Sequence, residues 1–410
     1  MKSSRAWLLA AVFLLGPTPA AYANVITDWD EKAVAFVQSR MVPPLAYRVM
    51  AIVHVSMFDA VNSIEPIYRP YKVQLPATAD TSKDAAAAAA TATVLAKLLP
   101  DIAPDVQTAL TSYLAAIPEG DAKSNGIKLG EAVATKMLES RANDGSSSPD
   151  AYRPNAKPGL YVPTALTVAS QWPKVTPFAM TSPSQFRPKP PIPLESEQWA
   201  TDYNEIKELG AKNSSKRTAK QTEDARFWIL TGPLSTHPLP RQIVIKKAMT
   251  VNDSARFMAL ITVAEADAMI AILDAKYTYD FWRPITAIRN GDIDDNPATE
   301  RDASWQPIDN TPMHPEYPCA HCIVSSAVAS TTEAVLGTAE IPEVSMTSPT
   351  APGVTHHWTN LRAYADEVAA ARIYAGFHYR FSTVAGEEMG KKIGELTVAT
   401  QMRRVEAPAR

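Results

Sequence analysis

The sequence predicts an all-α protein built from helical bundles. Three features carry that expectation: apolar residues recur at helical spacing along most of the chain, no run alternates like a half-buried strand, and no internal repeat is present. The 410 residues are 46% hydrophobic and 20% charged, enough for one large helical domain or for two or three smaller ones. Lysine and arginine total 40 against 43 acids, with no basic stripe. That balance argues against nucleic acid as a partner, because holding a phosphate backbone needs clustered cations.

Residues 1–23 read as a secretory signal peptide. Lys2 and Arg5 precede the apolar run Ala6 to Leu15, Gly16 and Pro17 break it, and Ala21-Tyr22-Ala23 supplies a small-x-small cleavage pattern. The run is too short to span a bilayer and no later stretch approaches one, so the expectation is an exported protein, periplasmic or secreted, with no membrane span. Losing Lys2 and Arg5 and no acids takes the net charge from −3 to −5.

Residues 24–143 read as an N-terminal helical region. Helical patterns cover 44–64, 80–99, 104–117 and 119–143. Pro44 suits a first helical position, Thr81-Ser82-Lys83-Asp84 offers N-caps, and Pro100 is a stop. His54 falls on the apolar side of the first pattern and reads as a core histidine with a satisfied hydrogen bond. Residues 144–195 change character, with eleven prolines between Pro149 and Pro193, and read as a long connection or lid. Residues 196–402 read as a C-terminal helical domain, with patterns at 195–209, 218–230 and 240–280.

Five of the seven histidines lie between His314 and His378, which places any chemistry in that domain. Lys276 and Arg283 are seven apart, close to one helix face, although Pro284 biases Arg283 out of helical geometry. The stretch His314-Pro-Glu-Tyr-Pro318-Cys319-Ala320-His321-Cys322 precedes an apolar helical run, 323–336. The backbone N–H groups of Cys319, Ala320 and His321 would then sit at a positive helix end, a natural oxyanion site. Arg372 and His378 are six apart, a spacing that a straight helix would not aim at one point. Cys319 and Cys322, the only cysteines, read as a local disulfide; a structural zinc needs four ligands, and a thiol oxidoreductase needs a βαβ setting absent here. His356 and His357 stand in a Pro/Gly-containing stretch and read as surface histidines.

Taken in order, Lys-x6-Arg-Pro, Pro-Cys-Ala-His and Arg-x5-His resemble the three-part signature of the superfamily of vanadium-dependent haloperoxidases and type 2 phosphatidic acid phosphatases. The flanks Asp274–Arg289, His314–Pro318 and Met50–Asn62 look like its soluble bacterial haloperoxidase branch. The resemblance implies the all-α helical-bundle fold of that superfamily, with Lys276, Arg283, Arg372 and the backbone at Cys319-Ala320 holding vanadate or phosphate. It makes His321 the acid–base residue and His378 the vanadium ligand of a peroxidase or the nucleophile of a phosphatase. Lys276 would also polarise bound peroxide, and His314 sits where bromoperoxidases carry a second active-site histidine. Three positions depart from the pattern: Cys319-Ala320 replaces Ser-Gly, and Ser382 replaces an Asp four residues after the last histidine. A backbone carbonyl is the expected substitute for orienting His378.

The implied function is peroxide-dependent halide oxidation with vanadate as cofactor and small molecules as substrates. The alternatives are an exported acid phosphatase working through a phosphohistidine without a cofactor, and a non-catalytic helical protein with a degenerate site. Helical surfaces of this kind also leave room for a homo-oligomer.

Overall fold

The computed structural model describes residues 24–38 and 40–405, so the signal sequence expected over 1–23 lies outside the described residues. The N-terminal part folds as α1 (Val25–Gln38), α2 (Pro43–Ile64), α3 (Lys83–Leu98), α4 (Ala103–Leu114) and α5 (Asp121–Arg141). Ser82 caps α3 by accepting from the Ala85 backbone N–H. The six consecutive alanines of α3 are fully buried, and their small side chains let α5 pack closely against it. Helix α2 is long and apolar enough to cross a membrane, which corrects the expectation that no later stretch approaches this; 94% of its most apolar window is buried inside the bundle. α1 had no counterpart in the sequence reading.

The C-terminal part contributes α6 (Glu197–Leu209), α7 (Ala219–Phe227), α8 (Pro238–Lys246), α9 (Val251–Tyr279), α10 (Pro284–Arg289), α11 (Ala320–Leu336), α12 (Leu361–Tyr374) and α13 (Arg380–Thr400). The single helix expected over 240–280 is two. The chain breaks at Ala248, which has φ 46°, and Thr250 caps α9 by accepting from Asp253 N–H. Between α11 and α12 lies an unexpected antiparallel hairpin, β1 (Glu340–Ser348) and β2 (Ala351–Asn360), with Val344 opposite Trp358 and Met346 opposite His356. Pro342, Pro352 and two register shifts mask its alternation. His356 is therefore no loop histidine: it is buried on β2, stacks on Phe227 at 4.0 Å and pairs with Glu367 at 2.6 Å, whereas His357 is exposed.

Helix α9 packs on α2 and also on α11 and α13, so one apolar core runs through both halves of the chain. The α11–α13 pair is close because Gly390 presents no side chain; a Cβ there would lie 2.2 Å from the Ile323 carbonyl oxygen. Four of the helices are also tied by a buried charge network. Asp30 of α1 accepts from His54 of α2 at 2.9 Å and from His237, next to α8, at 2.6 Å. Arg241 of α8 donates to Asp30 at 3.0 Å, and the second nitrogen of His237 meets Glu265 of α9 at 3.0 Å. Burial opposes charge on His237, but its two carboxylate neighbours hold it up to about 10. His54 thus has the expected bond on one nitrogen, while its Nδ1 has none.

The proline-rich segment wraps the bundle. The Asp267 carboxylate on α9 accepts from the backbone N–H groups of Phe178, Ala179 and Met180 at 2.6–2.8 Å. Arg187 pairs in a bidentate way with Asp274, and Tyr161 N–H donates to the Asp280 carbonyl. These anchors lay residues 161–168 beside the cavity described next.

Candidate functional site

Three chain reversals bring the predicted residues together. Helix α9 ends at Tyr279, with Asp280 in the left-handed region, and Arg283 follows in extended geometry before Pro284 opens α10. Helix α12 stops two residues after Arg372, and Gly376, at φ 80°, turns the chain back; a Cβ there would lie 2.5 Å from the Gly210 carbonyl. His378 therefore leaves the helical path, which is how a six-residue spacing still converges with Arg372. Helix α11 begins at Ala320 with Cys319 as N-cap; Pro318 precedes the cap.

A cavity of about 1390 Å³ is lined by Arg283, His314, Ala320, His321, Arg372 and His378. Arg283 donates through Nε to the His314 carbonyl at 2.9 Å and through a terminal nitrogen to His314 Nδ1 at 2.9 Å. Its other terminal nitrogen reaches the Phe377 carbonyl at 3.0 Å and His378 Nε2 at 3.3 Å. Arg372 donates to the Trp228 carbonyl and lies over the Phe377 ring, and its buried Nε has no partner. His321 Nε2 donates to the Leu230 carbonyl at 3.1 Å, which leaves Nδ1 as the basic nitrogen of the neutral ring.

Two predicted residues stand outside the cavity wall. Lys276 is fully buried behind it, with Nζ donating to the Pro315 and Glu316 carbonyls at 2.9 and 2.6 Å. Cys319 is a correction: it cannot hold an oxyanion. Its N–H donates to the Ser382 carbonyl, its sulfur is in a disulfide with Cys322 and accepts from the Cys322 N–H, and its side chain is fully buried. The free donors at this helix start are the N–H groups of Ala320 and His321, which have no acceptor among the described residues.

Glu316 is the residue that motif reading passed over. His378 Nδ1 meets Glu316 Oε1 at 2.8 Å, and Tyr379 N–H donates to the same oxygen at 3.2 Å. The expected backbone carbonyl behind His378 is thus a carboxylate. The signal was an acid inside the run His314-Pro315-Glu316, whose other two members hold Arg283 and Lys276.

Electrostatically the cluster has excess cations. Burial pushes Arg283 down to about 10 against the pull of Glu316, and burial with Arg283 pushes Arg372 down to about 9, so both stay charged at neutral pH. Burial, then Arg283, lowers Lys276 well below the ordinary lysine value, with Glu316 opposing. Burial raises Glu316 to about 7 against Lys276 and Arg283. His314, His321 and His378 are all held well below the usual imidazole value, by burial first and by the nearby cations. A site with neutral imidazoles, buried guanidiniums and unspent helix N–H groups is short of negative charge.

Residues 256–407 match the family model described as the VCPO second helical-bundle domain. That part of the chain is thus similar to the second helical bundle of vanadium chloroperoxidases. A curated relative, vanadium chloroperoxidase of Curvularia inaequalis, is 29% identical over 208 residues, covering 43% of this chain. The match spans about a third (34%) of that relative's length. Among solved structures, the first bacterial vanadium-dependent iodoperoxidase aligns with TM-score 0.78 and 22% identity, covering 93% of this chain and 96% of its own. A holo-type bacterial vanadium-dependent chloroperoxidase aligns at 0.73 and 18%, covering 93% and 98%. These likenesses show that the helical-bundle fold of vanadium haloperoxidases extends over nearly the whole chain.

Proposed function

We propose that the protein is a haloperoxidase-like enzyme that binds vanadate in this cavity and oxidises halide with peroxide. The observation that carries the reading is the charge balance: two buried guanidiniums, Arg283 and Arg372, stand with a single carboxylate, Glu316, beside a helix N-terminus. A tetrahedral oxyanion supplies what that set lacks, and the orphaned Nε of Arg372 gives it a donor. Arg283, Arg372 and the Ala320 and His321 N–H groups would hold the oxyanion oxygens, and His378 Nε2 would bind vanadium. When bound, vanadate supplies Lewis-acid activation of hydrogen peroxide toward halide. His321 exchanges the proton through Nδ1, and Lys276, behind the Pro315-Glu316 backbone, regains positive charge as the bound anion raises its proton affinity.

Phosphoester hydrolysis is the second reading, favoured by the Cys319–Cys322 disulfide, which leaves no thiol at Cys319 to donate beside the anion. There His378 Nε2 would attack phosphorus, His321 would protonate the departing oxygen, and water would cleave the phosphohistidine. The deciding assay offers the purified protein peroxide with iodide or bromide, with and without added vanadate, and separately p-nitrophenyl phosphate. Halide oxidation that requires vanadate, saturating near one equivalent, supports the first reading. Hydrolysis without halide oxidation moves the assignment to the phosphatase, and inactivity in both assays refutes both.

A further inference from the structure

Resting on the oxyanion-site reading, we infer that Glu316 is the positioning residue for His378: its carboxylate fixes the ring as the Nδ1–H tautomer and presents the Nε2 lone pair to the bound anion.

Both faces of the imidazole give the same answer. On one side, Glu316 Oε1 lies 2.8 Å from Nδ1 and also receives the Tyr379 N–H. As a carboxylate, that oxygen accepts from both neighbours, so the ring nitrogen beside it is the donor. On the other side, a terminal nitrogen of Arg283 lies 3.3 Å from Nε2. A guanidinium only donates, so Nε2 must offer its lone pair. A neutral ring with a lone pair on Nε2 carries its proton on Nδ1. The 3.3 Å contact is long, so an arriving oxyanion can draw the Arg283 donor to itself and leave Nε2 free to meet the central atom.

The placement is rigid. Glu316 is fully buried, His378 is 1% exposed, and the Glu316 backbone is pinned through its carbonyl by Lys276 and through its N–H by the Phe281 carbonyl. The segment 314–316 thereby holds three cluster members at once: Arg283 by the first residue, Lys276 by the second and third, His378 by the third. A carboxylate behind a ligating imidazole raises the basicity of the far nitrogen and removes the cost of orienting the ring. In this chain that carboxylate arrives from the segment before α11, while the helix that follows His378 places Ser382 one turn on.

The test reads the tautomer directly. Protein labelled with 15N-histidine is observed at pH 8, with His378 assigned by loss of its signals in His378→Ala. Vanadate and phosphate affinities are measured by calorimetry for the wild type, Glu316→Gln and Glu316→Leu. The wild type should show a protonated Nδ1 and a bare Nε2. Glu316→Gln keeps an acceptor oxygen and should keep that tautomer. Glu316→Leu should mix or reverse the tautomers and weaken vanadate binding by about 10- to 100-fold, while its circular dichroism stays that of the wild type. A wild-type ring protonated on Nε2 overturns the inference whether or not any variant folds, and so does a Leu variant with unchanged tautomer and affinity. If the wild type binds neither anion, the oxyanion reading fails, while the tautomer still decides the role of Glu316.

Discussion

Arg372 combines full burial with a donor that nothing accepts, and residue-scale energetics make it the most informative side chain to change. A charged hydrogen bond to an anion contributes about 1.5–3 kcal/mol, so Arg372→Ala should weaken phosphate binding by about 10- to 150-fold, read by calorimetry. An equal affinity in the variant would remove Arg372 from the site. Lys276 makes a different prediction. Its charge is suppressed by burial and by Arg283, so an anion bound nearby should raise its proton affinity and favour proton uptake on binding. Binding enthalpy should then vary with the ionisation heat of the buffer, with the sign of proton uptake. Lys276→Met should abolish that dependence. At this scale most of the cluster was legible, because Arg283, His321, Arg372 and His378 sit in ordered motifs. Glu316 was not: its role depends on a contact with a residue 62 positions away, which no local pattern encodes. Cys319 misled because an N-cap looks like a free donor until Ser382 is found accepting from it.

At the scale of elements, the fold depends on a few buried polar ties. Asp267 satisfies three backbone donors of the proline-rich wrap, and Asp267→Ala would leave them buried and unpaired. A loss of about 3–5 kcal/mol is expected in urea unfolding, together with faster proteolysis within 144–195. The His237 tie has a pH signature. Its folded-state affinity for a proton, up to about 10, exceeds that of a free imidazole at 6.5. Its stabilisation is therefore complete below 6.5 and is lost as pH rises toward 10. Thermal unfolding followed between pH 6 and 10 should show that decline, and His237→Ala should flatten it. Helix positions were readable from period and caps, as at Pro44 and Ser82. The hairpin was not, since Pro342 and Pro352 interrupt its alternation, and the break at Ala248 carries no Gly or Pro to announce it.

For the whole molecule, one core through α2, α9, α11 and α13 means that the anion site is built on the same helices that hold the N-terminal half. Residues of the proline-rich wrap and the α2 entry, such as Tyr161 and Pro44, line the same cavity as His378. Anion binding should accordingly raise the melting temperature of the chain as a single transition, by an amount that follows mass action. The most direct measurement of the central claim is a vanadate titration of the intact protein by calorimetry, repeated in saturating phosphate. The account predicts one vanadate per chain, competition by phosphate at the same site, and loss of both in Arg283→Ala/Arg372→Ala. Vanadate binding that phosphate does not displace, or that survives removal of both guanidiniums, would contradict it.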